Sequence, residues 1–402
     1  MRSAIRPKKM KLGPYDAFSA LPTLIIFSLF PFLDVYLSSW STEYSIIFGF
    51  TGLSIIASVS SITVIFFLGP KPFITKPEAL FLSYLLLFSV IISVGISIGK
   101  NEETTTTHIS AVIQLVGMYL VSKTIQVRYV KIFCIFMISF LSIVSLYTYN
   151  WYFIQPEHVS AAGHRIKYQA IALVFLVPAT ICAVLSEKIY TIPILFISVL
   201  TLFLIGARSE FIAYILTVPF IALSFRKIFF SVTITCVIAA SVYLLRDISA
   251  IQQAVDASRI GNLLDIRSDN SYIMRMYMLK EAVQTISSNP FLGDYASYDP
   301  GDYAHNILSA WVDLGVFGLI MLLLVFFFSI NLYKSIPNYF VDERLKKVSG
   351  ILMMQVFILL IIAKVYFYPL TAFAVGFLGQ VAADAARTRA AYRSFALSTR
   401  MT

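Results

Sequence analysis

The chain has 402 residues, of which 58% are hydrophobic and only 13% are charged, and its mean hydropathy is +0.82. A soluble domain carries about 25% charged residues, so the composition excludes an ordinary water-soluble protein. The formal net charge of +10 does not indicate binding to nucleic acid, because the Lys and Arg residues fall in short loops between apolar runs, where membrane topology places them.

The apolar runs predict an all-α, polytopic integral membrane protein. A helix needs roughly 20 apolar residues to cross a bilayer, and runs of about this length recur along the whole chain, 1–402, which we interpret as one membrane domain. The last two spans could also form a single element kinked at Pro369. We predict about 12 transmembrane helices, at 15–37, 44–68, 79–98, 108–123, 129–149, 168–186, 189–206, 210–225, 228–245, 306–331, 348–368 and 370–384.

The basic residues predict the orientation of these spans. The segment 1–11 is basic and leads into the first span without a small-residue cleavage site, so we expect a cytoplasmic tail and not a cleaved signal. With this end inside, most of the 31 Lys and Arg residues fall in cytoplasmic segments, and the C-terminus is cytoplasmic too. The outer face then receives one long insertion, 246–305. Because 272–288 has helical periodicity, we expect this loop to be ordered.

Two arginines on the predicted outer face are candidate site residues. On a helical wheel one face of the 272–288 helix is apolar and carries Ile273, Met276, Leu279, Ala282, Val283 and Ile286. Arg275 falls on this face, between Leu279 and Ala282, where a guanidinium needs an anion. It could instead extend outward or pair with an acid such as Asp269. Arg208 lies between two apolar spans with almost no loop, and an ordinary ion pair with Glu210 is the alternative to a functional role.

A polar face opens the tenth span. Asn306 follows His305, and Ser309 and Asp313 lie one and two turns further along the same face of an otherwise apolar helix. Ionisable groups inside a span normally face the bundle interior or a wet cavity. Asp313 could tune His305, or it could bond the backbone near Gly315.

Other polar residues carry weaker signals. The loop 150–167 contains Arg165 and Lys167, and an ordinary solvated loop is the alternative there. Lys364 and Asp34 are isolated near the outer ends of their spans and could line a cavity. The sequence contains no H-E-x-x-H, no clustered His and Cys residues and no D-x-D pair, so metal-independent chemistry without a cofactor is expected.

Three motifs together resemble the signature of the O-antigen ligase and O-antigen polymerase superfamily. These are N-P-F-L-G at 289–293, the His305–Asn306 pair, and D-L-G-V-F-G at 313–318. The G-A-R-S stretch at 206–209 and the G-H-R-I-K-Y stretch at 163–168 resemble further basic motifs of that family. The resemblance covers 205–319, and the chain departs from the usual pattern in having Leu279 where an aromatic residue is common.

The resemblance implies an inverting glycosyltransferase in the bacterial inner membrane with a periplasmic site. Its donor would be a glycan on undecaprenyl diphosphate, and its acceptor either lipid A-core or another carrier-linked glycan. The implied residues are His305, Arg275 and Arg208 for catalysis and Arg165, Lys167, Asn306 and Asp313 for substrate binding. The alternatives are a polysaccharide transporter or flippase, which usually shows repeated halves and ionisable groups at mid-membrane depth, and a non-catalytic export partner.

Overall fold

A computed structural model describes residues 20–31, 33, 50–67, 73–125, 168–222, 270–298 and 303–401. The predicted spans 129–149 and 228–245 lie outside these residues. So do Arg165 and Lys167, and so does much of the insertion 246–305.

The described residues form helices and contain no strand, which agrees with the predicted all-α class. Within the described residues, each predicted span other than 129–149 and 228–245 overlaps one helix, and one further helix lies in the insertion. The helices are α1 Ala20–Leu29, α2 Phe50–Phe67, α3 Lys76–Ser97, α4 Glu102–Thr124, α5 Tyr168–Leu185, α6 Lys188–Ile205, α7 Arg208–Ala222, α8 Asn270–Ser288, α9 Leu308–Ser335, α10 Glu343–Ile362 and α11 Pro369–Met401.

Five of the described helices, α2, α3, α9, α10 and α11, are long and apolar enough to cross a membrane. Large apolar side chains on the outside of the bundle fit the same environment. Phe66 is 80% exposed, Leu86 is 67% exposed and Phe196 is 69% exposed, which is unfavourable in water but suits contact with lipid. The chain therefore has the character of a membrane protein, and the total of about twelve crossings stays a prediction.

Small residues let the central helices approach closely. α4 packs extensively against both α2 and α11. A Cβ atom on Gly117 of α4 would lie 2.9 Å from the Cβ of Ser54 on α2, and one on Gly376 of α11 would collide with Ser122 of α4. Small residues at such crossings are typical of membrane helices, whose association depends on close van der Waals packing.

The bundle has two ends, which are named here and defined by the polar contacts found at each. At the end called here the basic end, Lys123 near the end of α4 pairs with Glu78 at the start of α3, with Nζ and Oε1 2.6 Å apart. Lys347 of α10 donates to the carbonyl of Ile221 in α7. At the opposite end, called the loop end, Lys100 between α3 and α4 pairs with Asp294 at 2.9 Å.

The last two predicted spans differ from the alternative of one kinked element. Residues 363–368 separate α10 from α11, so the last two spans are two helices and not one kinked element. α11 then continues without a break to Met401, well beyond the predicted span 370–384. The last turns of its apolar part therefore lie at the basic end.

Candidate functional site

The N-P-F-L-G turn docks against a break in α9. Gly315 lies within α9 but has φ 67° and ψ −174°, so the helix changes direction there. A Cβ atom on Gly315 would collide with the carbonyl oxygen of Phe291, and one on Gly293 would collide with the carbonyl oxygen of Val312. The two glycines are needed because two backbones meet here without space for a side chain.

The turn also supplies hydrogen-bond partners for the two backbone groups that the break in α9 leaves unpaired. In a regular helix the Val316 N–H would donate to the Val312 carbonyl. Here Val316 donates to the Pro290 carbonyl at 3.3 Å, and the Asp294 N–H donates to the Val312 carbonyl at 2.7 Å. The Trp311 indole also donates to Pro290, at 2.7 Å. The motif thus fixes the loop after α8 to the first half of α9.

Asp313 anchors the same loop from inside the protein. Its Oδ1 accepts the Ala296 N–H at 3.1 Å, and its Oδ2 accepts the Tyr298 hydroxyl at 2.6 Å. The side chain is only 1% exposed. Burial, and next the charge of Asp313, raise the pKa of Tyr298 well above its ordinary value, so this phenol stays a donor. Both carboxylate oxygens thus accept hydrogen bonds within the protein. The backbone group that Asp313 binds is the Ala296 N–H and not a group near Gly315.

His108 of α4 completes this anchoring network. Its Nδ1 lies 3.0 Å from the Tyr295 hydroxyl, and its Nε2 lies 3.4 Å from the Tyr298 hydroxyl. The Tyr295 ring lies directly against Gly95 of α3. The loop after α8, up to Tyr298, is therefore held by α3, α4 and α9 together.

His305 and Asn306 lie just before α9, which begins at Leu308. The Asn306 Oδ1 accepts the Leu308 N–H at 2.9 Å and so caps the first turn of the helix. Ser309 donates to the Asn306 carbonyl at 2.6 Å and accepts the Tyr366 N–H at 3.2 Å. The polar face predicted for this helix is thus largely used to position the segment that carries His305.

His305 lies in a partly buried, positively charged environment. Its ring centroid is 4.7 Å from that of Tyr303. Burial, and then the charges of Arg275 and Lys364, lower the pKa of His305 to about 4. The imidazole is therefore neutral at pH 7 and can accept a proton, and the nearby cations favour an anionic ligand.

Arg275 projects from the face of α8 that contacts the rest of the protein. Met278 and Ala282, on the same face, are 8% and 5% exposed. The predicted apolar face is only partly correct, since Ile273 is 52% exposed, and Met276 and Val283 are about as open. Packing against Ala304 and Val312 decides which face of α8 is buried.

Lys364 and Glu210 form a buried ion pair at the loop end. The Lys364 Nζ lies 2.7 Å from the Glu210 Oε1. Tyr368 donates to the same oxygen at 3.1 Å, and Ser209 donates to Oε2 at 2.7 Å. Arg208 is the half-buried first residue of α7 and lies two residues before Glu210. Lys364, the partner of Glu210, acts electrostatically on His305.

The structure brings some of the predicted site residues together. The charge of Arg275 acts on His305, and Arg208 lies two residues before Glu210, which pairs with Lys364. Lys364 is central to this group, although the sequence marked it only as an isolated polar residue. Its one sequence signal was an ionisable group at the end of a span.

A polar cavity opens beside this group, between α8 and the loop that precedes α9. Its volume is about 410 Å³. Tyr277, Glu281 and Gln284 of α8 line one side, and Ser297 and Tyr298 line the other. Hydroxyl, amide and carboxylate groups next to tyrosine rings suit a ligand rich in hydroxyl groups. Among the described residues no three His, Cys, Asp or Glu side chains gather as metal ligands.

No model of a known protein family matches the chain, and no curated protein matches it. The functional interpretation therefore depends on the motif residues and on the geometry of the site.

Proposed function

We propose that the protein is an inverting membrane glycosyltransferase that moves a glycan from an undecaprenyl-diphosphate donor to a sugar acceptor. The observation that carries the proposal is a neutral His305 beside the cations Arg275 and Lys364. This combination supplies a proton acceptor next to an environment that stabilises anions.

His305 is the general base in this proposal. Burial and the two neighbouring cations keep its imidazole unprotonated at pH 7. A neutral imidazole can take the proton of an acceptor hydroxyl as that oxygen attacks. The anchored start of α9 would hold the ring in place while this happens, because Asn306 and Ser309 fix the backbone on either side of Ile307.

The arginines act on the leaving group. Arg275 and Arg208 would contact the diphosphate of the donor, since a guanidinium can grip two phosphate oxygens at once. Lys364 lies near the same place, with its charge paired to that of Glu210. Charges fixed in advance where negative charge develops in the transition state are a large source of catalysis.

One displacement step accounts for the reaction. The acceptor oxygen forms a bond to C1 of the donor sugar, and the bond from C1 to the diphosphate oxygen breaks with its electron pair. The undecaprenyl diphosphate leaves with that negative charge, and the acceptor proton passes to His305. Attack from the side opposite the leaving group inverts the configuration at C1.

The polar cavity beside α8 is the place where we propose that glycan binds. Glu281 and Gln284 can hydrogen-bond to sugar hydroxyl groups, and Tyr298 offers a ring as well as a hydroxyl. The cavity is also lined by Ala304, which directly precedes His305. A glycan bound there would lie next to the proposed base.

The wider setting of the proposal is a bacterial inner membrane protein of about twelve spans. In this proposal the loop end faces the periplasm and the basic end faces the cytoplasm, and the positive-inside rule predicts that both termini are cytoplasmic. The acceptor divides two subclasses, since transfer to lipid A-core makes a ligase and transfer to another carrier-linked glycan makes a polymerase.

A transfer assay with purified protein tests the proposal. The full chain in liposomes is given an undecaprenyl-diphosphate-linked glycan together with either lipid A-core or a second carrier-linked glycan. We expect a new glycosidic bond of inverted configuration with one of the two acceptors, and His305→Gln as the inactive control. Movement of the donor across the bilayer without any new bond would instead identify a transporter or flippase.

A further inference from the structure

A groove at the basic end has the features of a lipid site. It lies between the end of α9 and the last part of α11, with a volume of about 560 Å³. This volume is within the roughly 300–1,000 Å³ of typical small-ligand sites. Its walls are largely apolar and include Leu332, Ile336, Phe340 and Ala386, whereas its rim carries Arg389 and Arg393.

The two arginines on the rim present their positive charge to the groove. Both are exposed, and neither has a carboxylate partner among the described residues. They are four residues apart on one helix, where like charges repel and weaken the helix slightly. Arg387 on the same helix differs, because its guanidinium pairs with Asp384 at 2.6 Å. An anion bound between Arg389 and Arg393 would relieve their repulsion.

The position of the groove also matches the headgroup region of a bilayer. The candidate membrane span within α11 is Pro369–Ser394, so both arginines fall in its last two turns. α9 ends nearby at Ser335. A ligand in this groove would place a charged group at the membrane surface and an apolar group between the helices.

We infer that this groove binds an anionic glycerophospholipid, with its phosphate between Arg389 and Arg393 and an acyl chain along the apolar wall. Basic pockets between helices at the cytoplasmic side are the usual places for such lipids. The site is separate from the proposed catalytic group, which lies at the opposite end of the bundle, and it does not depend on the proposed function.

The experiment compares two lipids and two variants of the full chain. Protein in detergent is given dioleoylphosphatidylglycerol or dioleoylphosphatidylcholine, and bound lipid is counted by native mass spectrometry while thermal unfolding is followed in parallel. We expect the wild type to retain phosphatidylglycerol selectively and to unfold at a higher temperature with it. The double variant Arg389→Gln/Arg393→Gln should bind it on the order of 30-fold more weakly, from two charges of about 1 kcal/mol each.

Arg387→Gln is the matched control, because it removes a charge from the same helix without changing the rim of the groove. We expect it to bind phosphatidylglycerol as the wild type does. Equal retention of the two lipids by the wild type would overturn the inference, and so would equal losses in the control and the double variant. Displacement of phosphatidylglycerol by an equimolar amount of undecaprenyl phosphate would overturn it as well, since the groove would then belong to the carrier lipid.

Discussion

Lys364 and Glu210 come from different parts of the chain and form a buried ion pair with Nζ and Oε1 2.7 Å apart. Glu210 is the third residue of α7, and Lys364 lies in the connection between α10 and α11. The pair joins the segment that carries Arg208 to the surroundings of His305. Removing only one partner leaves a buried charge without compensation.

The first prediction concerns the stability of this pair. We expect Lys364→Met and Glu210→Gln each to lower the free energy of unfolding by about 3–5 kcal/mol, and the double variant to lose much less than the sum. Thermal or denaturant unfolding of the three variants in detergent measures this as a double-mutant cycle. Additive losses would mean that the two side chains do not depend on each other.

The second prediction concerns pH. Because burial, Arg275 and Lys364 lower the pKa of His305 to about 4, the base of the free protein stays neutral from pH 8 down to pH 5. We expect the value of kcat/KM to fall only as the pH approaches 4. A bound diphosphate attracts a proton to His305 and raises its pKa, so the acid limb of kcat should lie at higher pH. Acid limbs near pH 6.5 in both profiles would contradict this description of the site.

The third prediction separates the geometry of Arg275 from its charge. Arg275→Lys keeps the positive charge but cannot grip two phosphate oxygens, so we expect most transfer activity to be lost. Lys280→Ala on the same helix is the control, since Lys280 is exposed, and it should remain active. Single-turnover transfer with lipid-linked donor measures both. Near-normal turnover in the lysine variant would make Arg275 an ordinary surface anchor.

The fourth prediction concerns the break in α9. A Cβ on Gly315 would collide with the Phe291 carbonyl oxygen, whereas a Cβ on Gly99, which also has a positive φ of 72°, has nothing within 4 Å. Gly99→Ala should therefore cost only the strain of a left-handed residue, about 1–2 kcal/mol. Gly315→Ala should cost clearly more and release the 289–298 loop. Unfolding measurements and limited proteolysis compare the two, and equal losses would show that the docking contributes nothing.

The fifth prediction concerns Asp313, which could bind substrate or only hold the loop. Both of its oxygens accept hydrogen bonds from the protein, and an asparagine retains one acceptor and can donate to the Tyr298 oxygen. We expect Asp313→Asn to lose less than about tenfold in transfer rate, well below the 10²–10⁴-fold typical of a lost base. A loss as large as that of His305→Gln would show that Asp313 takes a direct part in substrate binding or in the reaction.

The sequence predicted the helices well and the buried faces less well. The span 79–98 corresponds to α3, and the span 189–206 to α6. A helix lets a long apolar run make all of its backbone hydrogen bonds within the run itself. For α8 the periodicity placed Val283 on the buried face, and yet Val283 is 50% exposed. A short helix in a loop is oriented by whatever packs against it, and its own pattern does not contain that information.

The sequence by itself determined the membrane character of this protein and the motif residues His305, Arg275 and Arg208, because run length, charge placement and short motifs are local properties of the chain. The tertiary structure alone decided the surroundings of those residues. It paired Lys364 with Glu210 and placed Arg275 and Lys364 near His305. It also brought Gly293 and Gly315 into one backbone contact. Such pairings depend on how distant helices meet, which no local pattern in the sequence records.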